Sequence, residues 1–525
     1  MSGPLWITAS PPGAHGELHV GHLAGPYVAA DVLSRFLRAE GRTVRLTTAT
    51  AQHTDAVELR ARRASRDPGD IAEGYHEAIV ADLAHARVAF DLVTHPAADV
   101  GFHAWLGETF RRLHAEGLIV ARTRPLPYCP ACETWLYGTL VTGGCPRCGA
   151  TRGGDVCRAC SRPGGELVEP RCAVCAAPPT TRRLRRLHLL LEPLRDQLTD
   201  YWSSSDLSPR LAALCEDLVE DALPSPAVTR PSRWGLPVPV EGYADQRIDT
   251  AFENAAAQLH AWGPDDRPPP EHAIAFAGFS HAFDQAVVLP ALQIARGLKL
   301  PTTLRLNDPY ELDGRPLSHG SRHGAWVLDL VTEWGSDTLR RHVLRDRPGT
   351  RPTAFRAADL ERSWQVLREP WEAWLERLLG AVRTDCGGVV PAVEPGGAGW
   401  ERLRDRLLRT AADLREAYGP EEFDPRRVLA LLDEVVHQAA DFGHANAHHH
   451  RDRPEGARRH QAALVAQLAV AAALAAWAWP VMPEGAARLA AALRLPAVRR
   501  VDEHALTPPP PGTRLPPPPA PVFGS

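Results

Sequence analysis

Blocks of apolar residues near the N-terminus predict a strand, a helix and a second strand. The segment LWITAS (5–10) has the short apolar run of a buried strand, and apolar side chains recur at helical spacing from Val20 to about Ala39. TVRLTTAT (43–50) predicts the next strand. Strand, glycine-bearing turn, helix and strand form a βαβ unit, so the expected fold class is α/β with a parallel sheet and crossover helices.

Further along the chain the same patterns predict a second part of the sheet and a helical region. Helical patterning continues to about Leu118 and returns from Leu184 to about Ala222. The segments WGLPVP (234–239), HAIAFAGF (272–279) and TTLRLND (302–308) resume strand-and-turn character, the last two as buried strands. From Thr353 to about Leu495 the pattern is helical, which predicts a bundle. The proline-rich tail 506–525 is expected to be extended, disordered and without effect on stability.

Composition limits where the chain acts and what it binds. The net charge of −4 gives no global attraction to nucleic acid, so any such binding must come from local patches. The basic residues are almost all arginine, and Lys299 is the single lysine. The chain has no run of eighteen or more apolar residues and no charged-then-apolar N-terminal signal, so no membrane span is expected and the expected location is cytoplasmic.

Eight of the ten cysteines form four C-x-x-C pairs between 129 and 175. Zinc prefers four thiolates in a tetrahedron, and two such pairs supply one closed set of ligands. The eight thiols therefore predict two structural Zn²⁺ ions, although spacing alone leaves open which pairs combine. Cys215 and Cys386 stand apart and are expected to be small apolar groups.

The stretch HGELHVGH (15–22) places His19 and His22 on the first turn of the predicted helix. A helix N-terminus favours anions, and two imidazoles there can stabilise charge that develops on a phosphate under attack. Gly21 would let a flat group approach the backbone, and Gly16 would permit the tight turn before it. Taken alone, the two histidines could also be incidental, since the chain has 23.

In its context the stretch resembles the opening of class I aminoacyl-tRNA synthetases, whose HIGH motif matches residues 19–22. The cysteine pairs, VTRPSRWGLPVP (228–239) and GSDTLRRHVLRDRP (335–348) are similar to methionyl-tRNA synthetases in order and spacing. The resemblance implies a Rossmann-like parallel sheet split by a zinc-knuckle connective insertion and followed by an all-α helical bundle. The implied units are a first catalytic half at 1–118, the insertion at 119–235, a second catalytic half with a KMSKS-like loop at 236–350, an anticodon-binding-like domain at 351–505 and the tail at 506–525.

The resemblance also implies the reaction and its site. An amino acid carboxylate attacks ATP, used with Mg²⁺, to give an aminoacyl-adenylate, and tRNA then takes the acyl group. The implied catalytic residues are His19 and His22, and the implied ATP-binding residues are Gly16, His19, Gly21, His22, Gly278, Leu317, Ser318, His319 and Arg322. The implied substrate-binding residues are Ser10, Pro11, Gly13, Arg247, Asp249 and Gln285. One zinc would be held by Cys145, Cys148, Cys157 and Cys160, and the other by Cys129, Cys132, Cys172 and Cys175.

The loop that should carry the KMSKS motif departs from the family. Residues 315–322 have the sequence RPLSHGSR, in which Leu317 and Ser318 match but neither lysine is present. Pro316 and His319 are not the arginines that a drift from lysine to arginine would produce. Arg315 and Arg322 flank the loop, although a shifted guanidinium is not equivalent to an ammonium point charge.

The substrate pocket departs as well. Thr50 or Ala51 occupies the place of the acidic residue that holds the substrate ammonium, and Asp55 lies one turn further on. An ammonium without a carboxylate is poorly held in a dry pocket. Gly278-Phe279-Ser280 replaces a G-K-D stretch, Pro11 and Gly13 replace bulkier side chains, and Arg247 stands where an aromatic is expected, whereas Asp249 matches.

Two segments bear on tRNA. His448 and His449, in FGHANAHHH (442–450), replace an expected Pro-Trp pair where the family reads its anticodon; they could stack on a base or form a solvated loop. The run TTRRLRRLH (180–188) could contact acceptor-stem phosphates or be a solvated helix face.

The sequence therefore supports a methionyl-type synthetase, expected to be a monomer, that activates methionine or a related acid and charges tRNA. The alternative is a catalytically weak or specialised paralogue that binds tRNA or activates a different carboxylic acid in a secondary pathway. A zinc-stabilised structural protein would require the order of the motifs to be coincidental.

Overall fold

The N-terminal part of the chain alternates strands and helices as its apolar pattern predicts. The computed structural model describes residues 3–220, 222–263, 269–298, 302–319, 322–447, 454–496, 498, 500–517 and 521–524. The first elements are β1 (Leu5–Ala9), α1 (Val20–His22), a π-helical turn (Leu23–Tyr27), α2 (Val28–Ala39), β2 (Val44–Ala49), α3 (Asp55–Ala64), α4 (Pro68–His85), β3 (Leu92–Thr94) and α5 (Val100–Ala115). Pro26 lies in the π-helical turn, where its missing N–H widens the helix. Strand β3 lies inside a stretch predicted to be helical.

The insertion is built from short strands around one long hairpin. Its elements are β4 (Ile119–Cys129), β5 (Thr134–Trp135), a 3-10 turn (Gly138–Leu140), β6 (Val141–Gly144), β7 (Thr151–Arg152), β8 (Val168–Cys172) and β9 (Thr180–Leu189). β4 and β9 pair antiparallel from Ile119 opposite Leu189 to Tyr128 opposite Thr180. The predicted start of a helix at Leu184 is therefore wrong. Apolar residues at 187 and 189 pack into the core on the strand instead.

The second half of the sheet follows. Its elements are α6 (Arg195–Ser204), α7 (Pro209–Glu220), β10 (Thr229–Arg230), β11 (Arg247–Ile248), α8 (Thr250–His260), β12 (His272–Gly278), a 3-10 turn (Phe279–His281), a π-helical turn (Asp284–Val288), α9 (Leu289–Ala295), β13 (Thr302–Asn307), β14 (Tyr310–Leu312), β15 (Arg315–Pro316), α10 (Val327–Trp334), α11 (Ser336–Arg345) and β16 (Thr353–Ala354). No strand forms over WGLPVP, where Pro237 makes only a bridge to Arg247. Helices α6 and α7 share one apolar core with β9 and β12.

The central sheet has the strand order β13-β12-β1-β2-β3, and its neighbouring strands run parallel. The order reverses between β1 and β12, because the chain leaves β1 toward β2 and returns later on the other side. In open parallel sheets the crevice at such a point, beyond the carboxyl ends of the strands, is where ligands bind. The predicted Rossmann-like parallel sheet is confirmed.

The C-terminal region is a helical bundle, as predicted. It contains α12 (Ala357–Val366), a π-helical turn (Leu367–Glu372), α13 (Ala373–Cys386), α14 (Trp400–Tyr418), α15 (Pro425–Ala445), α16 (Pro454–Trp477), α17 (Pro483–Ala492) and a 3-10 turn (Glu503–Ala505). One continuous apolar core joins the bundle to β1 and α2, and β16 pairs with β14. Thr353 and Ala354 thus pair with Tyr310 and Glu311 across the predicted boundary at 350/351. His448, His449 and Lys299 lie outside the described residues.

Helix α16 is long and apolar enough to cross a membrane by length and composition. In its most apolar window, however, 89% of the residues are buried inside the fold, as in the core helix of a globular protein. The described part of the chain thus gives this helix a packing role.

A buried ion pair joins α2 to the bundle. Asp31 in α2 and Arg340 in α11 are 1% and 0% exposed, and Arg340 Nη2 donates to Asp31 Oδ2 over 2.7 Å. Asp31 also accepts from Arg35 Nε and from the N–H of Ala89. Burial opposes ionisation of Asp31, but Arg340 and Arg35 outweigh it and hold the pKa of the carboxyl below its usual value. The remaining donors of Arg340 go to the carbonyls of Ala86, Arg87, Pro480 and Val481.

The described part of the C-terminal tail, residues 506–517 and 521–524, packs against the bundle, which corrects the prediction of disorder there. Phe523 is fully buried, with its ring centroid 5.0 Å from that of Trp371, and the N–H groups of Val522 and Phe523 donate to the Glu372 carboxylate. Upstream, Leu515 N–H donates to the Gly388 carbonyl over 2.9 Å. The prolines restrict the unfolded chain, so the entropy lost when this tail orders is small enough for a few buried contacts to fix it.

Phe523→Ala should destabilise the protein by about 3–5 kcal/mol, because it removes a buried aromatic ring from the core. Thermal and urea unfolding measure the change. Pro517→Ala, at an exposed position of the same tail, is the control and should change stability little. Equal stability of both variants would contradict a packed tail.

Candidate functional site

The carboxyl end of β1 lies at the point where the sheet reverses its strand order. Ser10 is buried there, and its N–H donates to the Phe276 carbonyl of β12 over 2.9 Å. Pro11 and Gly13 lead away from the strand, and Gly13 forms a bridge with Ala51, which follows β2. The predicted substrate residues Ser10, Pro11 and Gly13 therefore border the crevice.

The histidine motif that follows is held from two sides. Leu18 N–H donates to the buried carboxylate of Asp82 over 2.8 Å, and burial raises the pKa of Asp82 to about 6. Leu18 O accepts from Val327 N–H, and Val20 N–H donates to the Ala325 carbonyl. These hydrogen bonds connect the motif to α4 and to the segment that begins α10. The backbone that carries the histidine side chains is therefore fixed.

Three imidazoles meet in the crevice. The ring centroids of His19 and His22 lie 3.9 Å apart, and His319 lies 4.9 Å from the first and 5.0 Å from the second. A nitrogen of each ring lies within 4.8 Å of the others, which is close enough for one ligand to contact all three. His319 comes from the loop in which the family's lysines are absent.

Several ring nitrogens in this cluster have no protein partner. His22 Nδ1 accepts from the His19 backbone N–H over 3.2 Å, but His19 Nδ1 and His319 Nε2 are buried and unpaired among the described residues. His15 Nδ1 is unpaired as well, and its ring lies 4.9 Å from that of His319. A buried polar atom without a hydrogen bond is costly, so these nitrogens point to a missing ligand.

Burial keeps the cluster uncharged when no ligand is bound. It lowers the pKa of His15 to about 3 and that of His319 to about 4, and the neighbouring rings add repulsion at His15. It also holds the pKa of His19 and His22 well below the usual range, with further lowering by the adjacent imidazoles. A bound polyanion would offset this desolvation and favour protonation.

Two glycines of the motif let the loop approach the backbone. A Cβ on Gly16 would lie 2.7 Å from Cγ of His319, and one on Gly21 would lie 2.8 Å from Cδ1 of Leu317. At Gly21, where a flat group was expected, the side chain that approaches is thus Leu317 of this chain's own loop. Ser318 and His323 exchange backbone hydrogen bonds of 2.8 and 3.0 Å and close the loop. Arg322 is exposed, with a φ of +50°.

The remaining predicted ATP- and substrate-binding residues lie outside the histidine cluster. Gly278 ends β12, beside β1. Asp249 is the N-cap of α8 and accepts from Ala251 N–H, and burial raises its pKa to about 6. Gln285 Nε2 donates to Gln258 Oε1, and its own Oε1 is buried and unpaired. Arg247 donates to the carbonyls of its own loop, so the structure does not bring its guanidinium to the imidazole cluster.

A buried charged group that sequence reasoning missed lies next to the crevice. Glu253 Oε1 lies 2.7 Å from His53 Nδ1, and Arg230 donates to the His53 carbonyl and to Thr250 Oγ1. Glu253 and Arg230 are each 1% exposed. His53 and Glu253 are 200 residues apart, and neither belongs to a recognisable motif, so no local signal could have paired them.

The eight paired cysteines form two groups. Cys129, Cys132, Cys172 and Cys175 form one, and Cys145, Cys148, Cys157 and Cys160 form the other. Sulfur–sulfur distances within them include 3.5 Å (Cys129 to Cys175), 3.9 Å (Cys132 to Cys172) and 3.7 Å (Cys148 to Cys157). Tetrahedral Zn–S bonds of about 2.3 Å require such spacings, so four thiolates in each group can hold one zinc.

The second group is attached to the edge of the crevice. Ser161 Oγ donates to the Phe279 carbonyl, directly after Gly278, and Arg210 donates to the Ala159 carbonyl over 3.0 Å. The Arg210 guanidinium also stacks on the Phe279 ring at 3.6 Å. The knuckle is therefore part of the wall beside β12 and is not a separate appendage.

Comparisons with known proteins agree with this geometry. Residues 5–253 match the family model of class I (M) tRNA synthetases. The methionine--tRNA ligase of Pyrobaculum calidifontis is 29% identical over 520 residues, covering 95% of this chain and 90% of its own, and that of Thermomicrobium roseum is 28% identical, covering 81% and 77%. The Mycobacterium tuberculosis methionyl-tRNA synthetase in complex with methionyl-adenylate shares the fold, with a TM-score of 0.81, 20% identity and complete coverage of both chains.

Gly16→Ala should displace the loop, because its methyl group would overlap the His319 ring. Hydrogen exchange at the amides of Ser318 and His323 should accelerate by about tenfold, as expected for a strain of a little over 1 kcal/mol. Gly74→Ala, where a Cβ meets nothing within 4 Å, is the control. Unchanged exchange in Gly16→Ala would show that the loop does not rest on the motif.

Proposed function

We propose that this chain, which matches the class I (M) tRNA synthetase model over residues 5–253 and is similar to methionine--tRNA ligases, activates methionine with ATP and transfers the methionyl group to tRNA. The methionine carboxylate attacks the α-phosphorus of ATP, pyrophosphate leaves, and the adenylate is then attacked by the tRNA 3′ end. Methionine--tRNA ligases that align with nearly the whole chain support this assignment.

The observation that carries the proposal is the convergence of His19, His22 and His319 beside the carboxyl end of β1. The unpaired buried nitrogens of His19 and His319 can donate hydrogen bonds to phosphate oxygens in the tautomers that carry the proton there. Donors fixed in a buried site stabilise developing negative charge more than they would in water. The cluster can therefore stabilise the negative charge that develops on a triphosphate as pyrophosphate leaves.

His319 replaces the missing lysine charge in this proposal. It lies against Gly16 and stacks nearly parallel to His22, so it faces the same phosphate group as the motif histidines. Leu317, Ser318 and Arg322 support or extend the loop, and Gly278 gives the nucleotide access at the end of β12. A phosphate would raise the pKa of the His319 imidazole and allow it to act as a cation.

The insertion arm supplies a surface for tRNA. Exposed arginines occupy both strands of the β4–β9 hairpin: Arg122, Arg124, Arg182, Arg183 and Arg185. Partial burial and the neighbouring cations Arg122 and Arg186 lower the pKa of Arg124. Unneutralised arginines at this density suit a phosphate backbone. The run at 180–188 is thus a basic strand and not a helix face.

Two Zn²⁺ ions are proposed for the two cysteine groups, where they would hold the knuckles in shape. The zinc ions supply structural cross-links, and this chain's contribution is to attach one knuckle to Phe279 through Ser161. No step of the reaction passes through the metal.

Methionine-dependent ATP–pyrophosphate exchange tests the activity. His22→Ala should lower the exchange rate by about 10²-fold, because one donor to the developing charge is removed. His85→Ala, an exposed histidine at the end of α4, is the control and should keep the wild-type rate. Salt-dependent tRNA binding without exchange by the wild type would contradict the enzymatic function and favour a binding protein.

Metal analysis should find two zinc ions per chain. Cys145→Ser should lose one of them and loosen the 145–160 knuckle, because a closed four-thiolate site loses a ligand. Cys215→Ser, a buried cysteine outside both groups, should retain both ions. A wild-type chain without zinc would overturn this part of the proposal.

A further inference from the structure

An amino acid substrate brings a charged ammonium into a buried pocket, and this group needs an acceptor. The positions where the family resemblance places an acid do not provide one: Thr50 Oγ1 bonds to His76 Nδ1 over 2.8 Å, and Ala51 has no polar side chain. The Asp55 carboxylate already has a hydrogen-bond partner, because it accepts from Thr139 N–H of the insertion. An ammonium left without a carboxylate would be strongly disfavoured.

Glu253 has a free carboxylate oxygen in this region. One oxygen, Oε1, is bound to His53 Nδ1 at 2.7 Å, whereas Oε2 is buried and has no partner among the described residues. His53 lies two residues beyond Ala51, so the carboxylate approaches the end of β2 where the acid is missing. The nearby buried cation does not neutralise it by contact, because the hydrogen bonds of Arg230 go to His53 O, Thr250 Oγ1 and Trp234 O.

The position of α8 explains how Glu253 reaches this place. In its first turn the helix presents Glu253 to His53, and near its end Gln258 accepts from Thr8 Oγ1 of β1 over 3.3 Å. Gln258 also accepts from Gln285, whose own Oε1 is unpaired. The helix therefore contacts both β1 and β2 and carries one unpaired acceptor, Glu253 Oε2, while Gln285 beside it carries a second, as a ligand with N–H donors requires.

We propose that Glu253 Oε2 accepts the α-ammonium of the amino acid substrate, taking the place of the acid absent at Ala51. The inference rests on the proposed function and restricts its substrate class to carboxylic acids with a free α-amine. His53 acts as a positioning residue that fixes the carboxylate through Oε1. The unpaired oxygen then gains a charge-assisted hydrogen bond when substrate enters.

The test compares L-methionine with its des-amino analogue, 4-(methylthio)butanoate, in pyrophosphate exchange and in binding calorimetry. The wild type should bind methionine at least tenfold more tightly than the analogue. Glu253→Gln should raise KM and Kd for methionine by about tenfold or more and leave the analogue nearly unchanged, since the analogue has no ammonium to lose. Glu253→Asp should recover part of the preference, and Glu333→Gln, at an exposed acid of α10, should behave as wild type.

The inference would be overturned if Glu253→Gln lost the same affinity for methionine and for the analogue, or lost affinity for neither. A wild type that binds methionine in preference to the analogue but catalyses no exchange would count against the proposed function alone. In that case calorimetry on Glu253→Gln still decides whether the carboxylate holds the ammonium. Circular dichroism and unfolding temperature show that each variant is folded.

Discussion

The ion pair between Asp31 and Arg340 is the constraint on which the rest of the structure depends. It joins α2, which continues directly from the histidine motif, to α11 and to the loop before α17. Both groups are removed from water, so either charge alone would be strongly destabilising, whereas the pair and its carbonyl partners satisfy each other. The helical segment that begins at the histidine motif and continues into α2 is thereby fixed against the bundle, and both belong to one apolar core.

The crevice is assembled from parts that are distant in the chain, and each part is held by a contact from outside it. Asp82 holds the segment before His19, the α10 segment pairs with its backbone, and Ser161 of the knuckle bonds to the carbonyl beside Gly278. Because the backbone is fixed, the neutral imidazoles stay closely packed even though some of their ring nitrogens have no hydrogen-bond partner among the described residues. Such a site is destabilised when it is empty, and a ligand that fills it lowers its free energy. Local strain of this kind is common in binding sites.

The sequence predicted the elements with strong apolar periods and the motifs with fixed spacing. Strands β1, β2, β12 and β13, the helix from Val20 and the bundle are confirmed, and the cysteine groups combine as the family resemblance implied. It failed where tertiary contacts override local pattern: β9 has arginines at helix-like spacing but pairs with β4, and the tail has proline-rich composition but buries Phe523. The His53–Glu253 pair could not be predicted, because nothing local links residues so far apart.

The contact of Leu317 and His319 with Gly21 and Gly16 has a kinetic consequence. These side chains occupy the space directly above the glycine backbone, so a nucleotide bound there as proposed would reach it only after the loop had moved. The observed association rate should then rise with nucleotide concentration and level off at the rate at which the loop opens. Under the proposed function, loop movement and not diffusion would then limit nucleotide entry at high concentration.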